Sequence, residues 1–489
     1  MDLPSIKKNY IYRLSYELLV LIIPFITTPY ISRVLGADGI GIYSYTTSVM
    51  TYFTLFAALG TGSYGAREIA QHRNNAQQAS KLFWEIEFMT VVTSGVCLLA
   101  WIVLIIFSKE YRYYYLSLIP LLLASMADIS WFFTGHEQVK YIVIRNTMCK
   151  LLGVILLFIF VRHKSDLIIY VLINSVVQLM GNLSMWTYVP GLLVKVDFKT
   201  LTLKKHFHET MVYFVPTIAT SIYTVLDKTL IGIITGNAYQ NGYYEQAAKV
   251  INIIKTLVFT SVNSVMTARI SYLFAMEKYD EVHSRIEKSM NFIFLAGCGC
   301  VFGLIGIANR FVPLFFGDGY GAVVKLLYLM APLVLIIGVS NCLGSHYYTP
   351  SGRRKESAKY IIIGSFANLS LNLLLIPLFG ANGATVASVA AELMITVLYV
   401  RSSNGYMTLK FMWKAAWKKG VAGIVMFVAV GVVGHVLNIS SIAVLAVQIG
   451  VGMCVYSIIL LILHDSMFLE IIKMGRNIVR RAVRGRENG

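Results

Sequence analysis

The residues of this chain that could do chemistry are charged and amide side chains set inside apolar runs. Lys150 and Lys255 have no opposite charge three or four residues away, the spacing at which helical side chains meet. A charge at the centre of a bilayer-spanning helix costs about 2.5–3.5 kcal/mol, so it faces a cavity or a partner. Two such ammonium groups near mid-depth read as an anion site. The other reading pairs each with an acid on a neighbouring helix, Asp128 or Glu392, and makes them structural. Lys249 follows Glu245 by four residues and Glu17 follows Arg13 by four, so these pairs can close within their own helices. Asp227 and Lys228 are adjacent, point different ways and need partners elsewhere. With Lys228, these residues make a set of ten ionisable side chains read as intramembrane, five of each sign.

Amides form a second pattern. Asn174, Gln178 and Asn182 recur every four residues. Glu245, Lys249, Asn252, Thr256, Thr260 and Asn263 share one broad helix face. Asn368 with Asn372, and Ser388 with Glu392 and Thr396, make two more stripes. Interhelical hydrogen bonds explain one such stripe at about 0.6 kcal/mol each. Four stripes also fit a hydrated interior that accepts hydroxyl groups.

The elements that must position these side chains are apolar. About 20 apolar residues span a bilayer as a helix, and fourteen such stretches fill the chain. They are Tyr10–Val34, Ile42–Leu59, Phe83–Phe107, Leu116–Phe133, Ile142–Val161, Leu167–Val189, Met211–Thr235, Tyr243–Met266, Asn291–Phe315, Leu326–Ser345, Tyr360–Leu378, Ala384–Val400, Gly420–Leu437 and Ile442–Leu463. The fold class expected is therefore an all-α polytopic membrane protein. With 57% hydrophobic and 13% charged residues, the rest of the chain leaves no room for a water-soluble catalytic domain. Pro24, Pro29 and Pro216 interrupt the first and seventh stretches and mark expected hinges.

Placing the N-terminus in the cytoplasm puts most of the 42 lysines and arginines on that side and only Arg33, Lys109, Arg112, Arg162, Lys164, Arg310 and Lys325 opposite. Both termini are then cytoplasmic. The net charge of +18 is dealt out loop by loop, which argues against a nucleic-acid surface. The basic tail, from Lys473 to Arg486, reads either as an amphipathic helix on anionic lipid or as a disordered end. The six cysteines fall in or beside spans and read as buried small side chains rather than a disulfide framework.

The chain repeats at a separation of about 200 residues. Gly36 and Gly41 flank a turn that ends at Tyr43; Gly236 and Gly242 flank a turn that ends at Tyr244. Six helices per half is an even number, so the halves run parallel. Two six-helix lobes, 1–205 and 206–410, are expected, followed at 411–489 by an accessory helix pair and the tail. In transporters of this build substrate sits at the repeat interface and one half rocks against the other. Nucleotide-binding, zinc-protease and serine-hydrolase motifs are absent. We therefore expect no enzyme activity, no metal ligands and no cofactor beyond a coupling H+ or Na+. His206 and His208 read as solvated loop residues.

Five stretches carry a family resemblance: Arg33-Val34-Leu35-Gly36 through Gly41-Ile42-Tyr43; Gly60 through Arg67 to Ala70, with Arg73; Asp128 through Trp131 and Gly135 to Glu137; Asp227-Lys228 through Gly232 to Gly242, Tyr244 and Lys249; and Pro377 through Gly380 to Gly383. In order and spacing they resemble the polysaccharide-exporter branch of the multidrug/oligosaccharidyl-lipid/polysaccharide superfamily. The resemblance covers the first twelve helices. It implies a flippase for undecaprenyl-diphosphate-linked oligosaccharide repeat units in a bacterial cytoplasmic membrane, serving capsule, O-antigen or exopolysaccharide synthesis. Lys150, Lys249 and Lys255 would hold the diphosphate, with Arg13 or Arg33 helping near the openings. Asp128, Asp227 and Glu392, with Glu17 and Glu245, would bind a coupling ion or balance charge. Asn174, Gln178, Asn182, Asn252, Asn368 and Asn372 would face sugar. Membrane lipids and the polysaccharide polymerase and assembly machinery are the implied partners. The alternatives are a cation-coupled multidrug exporter, a lipid II flippase and, from another class, a membrane-embedded polymerase. A polymerase would show a long external loop with catalytic arginine, which this chain lacks.

Overall fold

The computed structural model describes residues 6–437 and 440–487, with side chains described except at 6–11, 13–14, 215–217, 219–224, 260–261, 264–265 and 478–487. Every regular element among the described residues is helical. The chain divides into two compact units, Met1–Gly242 and Tyr243–Gly489.

The first unit begins with α1 (Ile6–Ala58), which carries the first two crossings, and continues with α2 (Thr61–His72) and α3 (Ala76–Phe107). Three short helices, α4 (Arg112–Ser117), α5 (Ile119–Met126) and α6 (Ser130–Gly135), share the next crossing. Then come α7 (Val139–Phe160), α8 (Leu167–Met185) and α9 (Leu203–Thr235). Most of α10 (Ala238–Ala275) opens the second unit. It is followed by α11 (Tyr279–Phe316), α12 (Gly321–Met330), α13 (Pro332–Leu343), α14 (Arg354–Phe379), α15 (Ala381–Arg401), α16 (Leu409–Val436), α17 (Ser441–Ile462) and α18 (Ser466–Glu487). With α12 and α13 as one crossing, each unit contributes seven, and the fourteen expected spans each find a helix.

Hydropathy makes this pattern legible because lipid cannot hydrogen-bond a bare backbone, so every crossing closes its own amide bonds as a helix. The outward faces are apolar: Phe107, Leu378 and Val436 are 81%, 72% and 72% exposed. Inside the first unit, Ile31, Leu35, Trp101, Leu118 and Val161 form one core and Tyr64, Phe83, Ile86, Phe132 and Met185 another.

The prolines do not break the first helix as expected. α1 runs through Pro24 and Pro29, and the residue that leaves helical dihedrals is Gly36, at φ 70° and ψ 174°. Without a Cβ, glycine takes this conformation at little cost. Around the prolines Thr27 donates to the Ile23 carbonyl and Arg33 to that of Pro29. The side chain of Pro216 lies outside the described residues.

The two repeated turns meet within the first unit. A Cβ on Gly41 would stand 1.7 Å from the Ala238 carbonyl oxygen, and one on Gly242 would stand 1.8 Å from that of Ala37. The contact is reciprocal: Ala37 precedes Gly41 by four residues, as Ala238 precedes Gly242. Other quoted motifs interlock in the same way. Trp131 packs over Gly65, and Arg73 pairs with Glu137 at 2.8 Å.

The basic tail forms helix α18. It is tied down at its start, where Lys419 and Asp465, 1% and 3% exposed, pair at 2.8 Å. Lys288 pairs with Glu470 at 2.9 Å on the same helix.

Candidate functional site

A cavity of about 270 Å³ lies in the first unit, walled by α1, α5 and α8 and by Asp128 between α5 and α6. Helix periodicity brings Asn174, Gln178 and Asn182 to one side of α8, and all three line this cavity. Tyr43 and Thr47 of α1 face it, as do Ser125 and Asp128.

Asn182 fixes the wall. Its Nδ2 donates to the Ala124 carbonyl at 2.6 Å. Its Oδ1 accepts from Arg145 Nη1 at 2.9 Å and from Gln178 Nε2 at 3.4 Å. Arg145 also donates through Nε and Nη2 to Asn146 Oδ1, at 2.9 and 2.6 Å. Its Nη1 lies 3.9 Å from Asp128 Oδ1. That same oxygen accepts the Ser130 amide at 2.9 Å, which pins the carboxylate at the break between α5 and α6. The Asp128 side chain is 42% exposed and that of Arg145 9%, so the acid faces the cavity and the base stands behind the amide wall. Donors and acceptors alternate over the surface with nearly balanced charge. Such a surface suits a ligand rich in hydroxyls.

Sequence reasoning missed Arg145, although it lies inside the fifth predicted span. Its position three residues from the start of that span made it look like a loop residue; its neighbour Asn146 was the available signal. Glu85 and Glu87 were missed for the same reason at the start of the third span. His206 is a correction. It is 1% exposed, with Nε2 2.9 Å from Glu85 Oε2 and Nδ1 2.6 Å from the Tyr64 hydroxyl, because the first turns of α9 fold onto α2 and α3. His208 is exposed.

The other predicted residues scatter. Lys150 is exposed on α7, on the side roughly opposite the outward stripe of Met148, Ile155 and Ile159. Lys249 and Glu245 pair at 3.6 Å within α10. Lys255, half-buried on the same helix, has Glu392 of α15 as the acid whose field reaches it. Asn252 is exposed. Asp227 is 4% exposed on α9, and its charge acts on Tyr52, whose hydroxyl bonds Thr229. Arg33 and Glu17 are exposed; the side chain of Arg13 lies outside the described residues. Asn368 and Asn372 are fully buried. Asn372 donates to Asn368 at 3.0 Å, and Asn368 to Ser388 at 3.3 Å. They join α14 to α15. Among the described residues no three His, Cys, Asp or Glu side chains gather as metal ligands.

The comparisons with known proteins agree on fold and family. A family model described as polysaccharide biosynthesis protein matches residues 6–274. A curated relative, "Putative O-antigen transporter" of Escherichia coli (strain K12), is 25% identical over 408 residues, covering 82% of this chain and 98% of its own. Among solved structures, the lipid II flippase MurJ in an inward closed conformation superposes with a TM-score of 0.72 at 15% identity, over 94% of this chain and 99% of that one. An inward-facing multidrug resistance transporter of the MATE family gives 0.61 at 12% identity, over 83% and 98%. At such identities these two likenesses show the fold, that of a fourteen-helix, two-lobe membrane transporter. With its model matching more than half of the chain, the polysaccharide biosynthesis protein family, in the polysaccharide-flippase branch of the multidrug/oligosaccharidyl-lipid/polysaccharide superfamily, is the family to which this chain belongs.

Proposed function

We propose that the chain is a flippase that carries an undecaprenyl-diphosphate-linked oligosaccharide repeat unit across the bacterial cytoplasmic membrane. The observation that carries this reading is the first unit's cavity. An amide ladder and a part-exposed Asp128 backed by Arg145, set in an apolar helical body, offer hydrogen bonds to sugar hydroxyls where lipid offers none. The glycan head passes along this wall while the polyprenyl tail stays in the bilayer. Lys150, on the α7 face turned away from the apolar stripe, is the base best placed to meet the diphosphate, because an ammonium held away from lipid needs an anion. The chain moves by alternating access, with both termini in the cytoplasm, and makes no covalent change in its cargo. A polymerase and assembly machinery outside the membrane would consume the product. The names of the relatives and the fold of the solved neighbours support this reading.

Deletion of the chain in its host, followed by analysis of lipid-linked intermediates, tests it. Completed repeat units should accumulate on the inner leaflet. Unchanged lipid intermediates with altered drug sensitivity would replace the reading with multidrug export, and accumulation of lipid II would replace it with a cell-wall role.

A further inference from the structure

Two carboxyls two residues apart on α3 are buried to the same depth and treated differently. Glu85 is 3% exposed and fully engaged. Its Oε1 accepts from the Thr202 amide at 2.7 Å and hydroxyl at 3.0 Å, and its Oε2 faces His206 at 2.9 Å. Glu87 is also 3% exposed, yet neither of its oxygens has a hydrogen-bond partner among the described residues. Burying a carboxylate without donors costs several kcal/mol, whereas the neutral acid escapes most of that cost.

The direction of Glu87 follows from helix geometry. Glu87, Ser94 and Trp101 are seven apart and share one face of α3. Trp101 Nε1 donates to the Tyr115 carbonyl of α4 at 3.0 Å, so this face looks at the α4–α5 column. Ser94 is 1% exposed, and its hydroxyl too lacks a partner among the described residues. The column ends at Asp128. Among the described residues Asp128 is the charged group whose field reaches Glu87, and Arg145 stands beyond it. The charged groups facing α3 from the other side are spent elsewhere. His206 of α9 is held by Glu85 and Tyr64, Glu209 by Tyr64, and Arg67 of α2 donates to Tyr213. A divalent cation takes about six oxygen ligands, and one lone carboxyl does not supply them. A proton needs only one.

We propose that Glu87 is a proton-binding site of the first unit, loaded from the cavity through Asp128. In loading, a hydronium ion in the cavity gives its proton to the Asp128 carboxylate and is left as water. The O–H bond at Asp128 then breaks as one forms at Glu87, and a neutral acid replaces a buried anion. Release reverses these steps. The neutral form tolerates the dry packing seen here, while the ionised form draws water to the Glu87–Ser94 face and favours a different packing. The link from that change to cargo movement rests on the flippase reading; the proton site itself does not.

Infrared difference spectra of the purified full-length chain, recorded across a pH titration, test the site. A buried carboxyl band should titrate in the wild type and vanish in Glu87→Gln, with thermal unfolding of the variant unchanged. In cells lacking the native gene, Glu87→Gln should reach the membrane at normal level and lose surface polymer about tenfold, an ordinary coupling magnitude; Glu87→Asp should restore part of it. An unchanged band in Glu87→Gln overturns the proton site. A vanished band with undiminished polymer overturns its coupling to cargo. A titrating band in a wild-type chain that supports no polymer leaves the site standing and removes the flippase reading instead.

Discussion

Two amide ladders with the same four-residue spacing meet opposite fates. On α8, Asn174, Gln178 and Asn182 line a cavity beside a carboxylate that is 42% exposed. On α14, Asn368 and Asn372 are 0% exposed and bond each other and Ser388. The ion pairs differ likewise: Lys419 and Asp465 are sealed in the second unit, while Asp128 opens onto the cavity with Arg145 behind it. Spacing sets which helix face a polar residue takes. What packs on that face decides between glue and binding surface. Ser388 on α15 closes the α14 ladder, whereas the α8 ladder meets the break between α5 and α6, where helix packing leaves a gap.

The largest expected effect is in the sealed pair. Lys419→Met strands a buried carboxylate and should destabilise the protein by about 3–5 kcal/mol, read as loss of thermal stability in detergent; Asp128→Asn should cost under about 1 kcal/mol because its partner is distant and its own side chain part-exposed. Equal losses in the two variants would erase the contrast between the regions. Next comes Arg145→Ala, which leaves Asn146 and Asn182 without their shared donor. Surface polymer should fall by about tenfold or more while the protein remains in the membrane, and Arg145→Lys should not restore it, since one ammonium cannot replace three guanidinium bonds. Gln178→Leu should reduce polymer severalfold with little change in unfolding temperature; normal polymer would mean that the amide wall does not meet the cargo. Asn372→Leu is the smallest, about 0.6 kcal/mol of stability with export intact. A transport defect there would show that the α14 ladder is more than an interhelical contact.

Much of this was readable from the sequence because the bilayer enforces it. Apolar length placed the crossings, and four-residue spacing placed Asn174, Gln178 and Asn182 on one face. What escaped depended on neighbours distant in sequence. Arg145 becomes part of the site only through Asn182 on another helix. His206 lies in a basic stretch that looks solvated until α9 folds onto Glu85 and Tyr64. The break in α1 falls at Gly36 rather than at either proline, because a helix can curve past a missing hydrogen bond, but the kink here needs a backbone that tolerates positive φ.

The central claim is that the polar wall of the first unit conducts a glycan head through the membrane. Proteoliposomes of the purified chain, carrying a lipid-linked saccharide probe in both leaflets, can be exposed to an external enzyme that cleaves the sugar. The wild-type chain should render nearly all of the probe cleavable, whereas Arg145→Ala should leave the inner-leaflet half protected. Full protection of that half with the wild-type chain, or full cleavage with Arg145→Ala, would contradict the account.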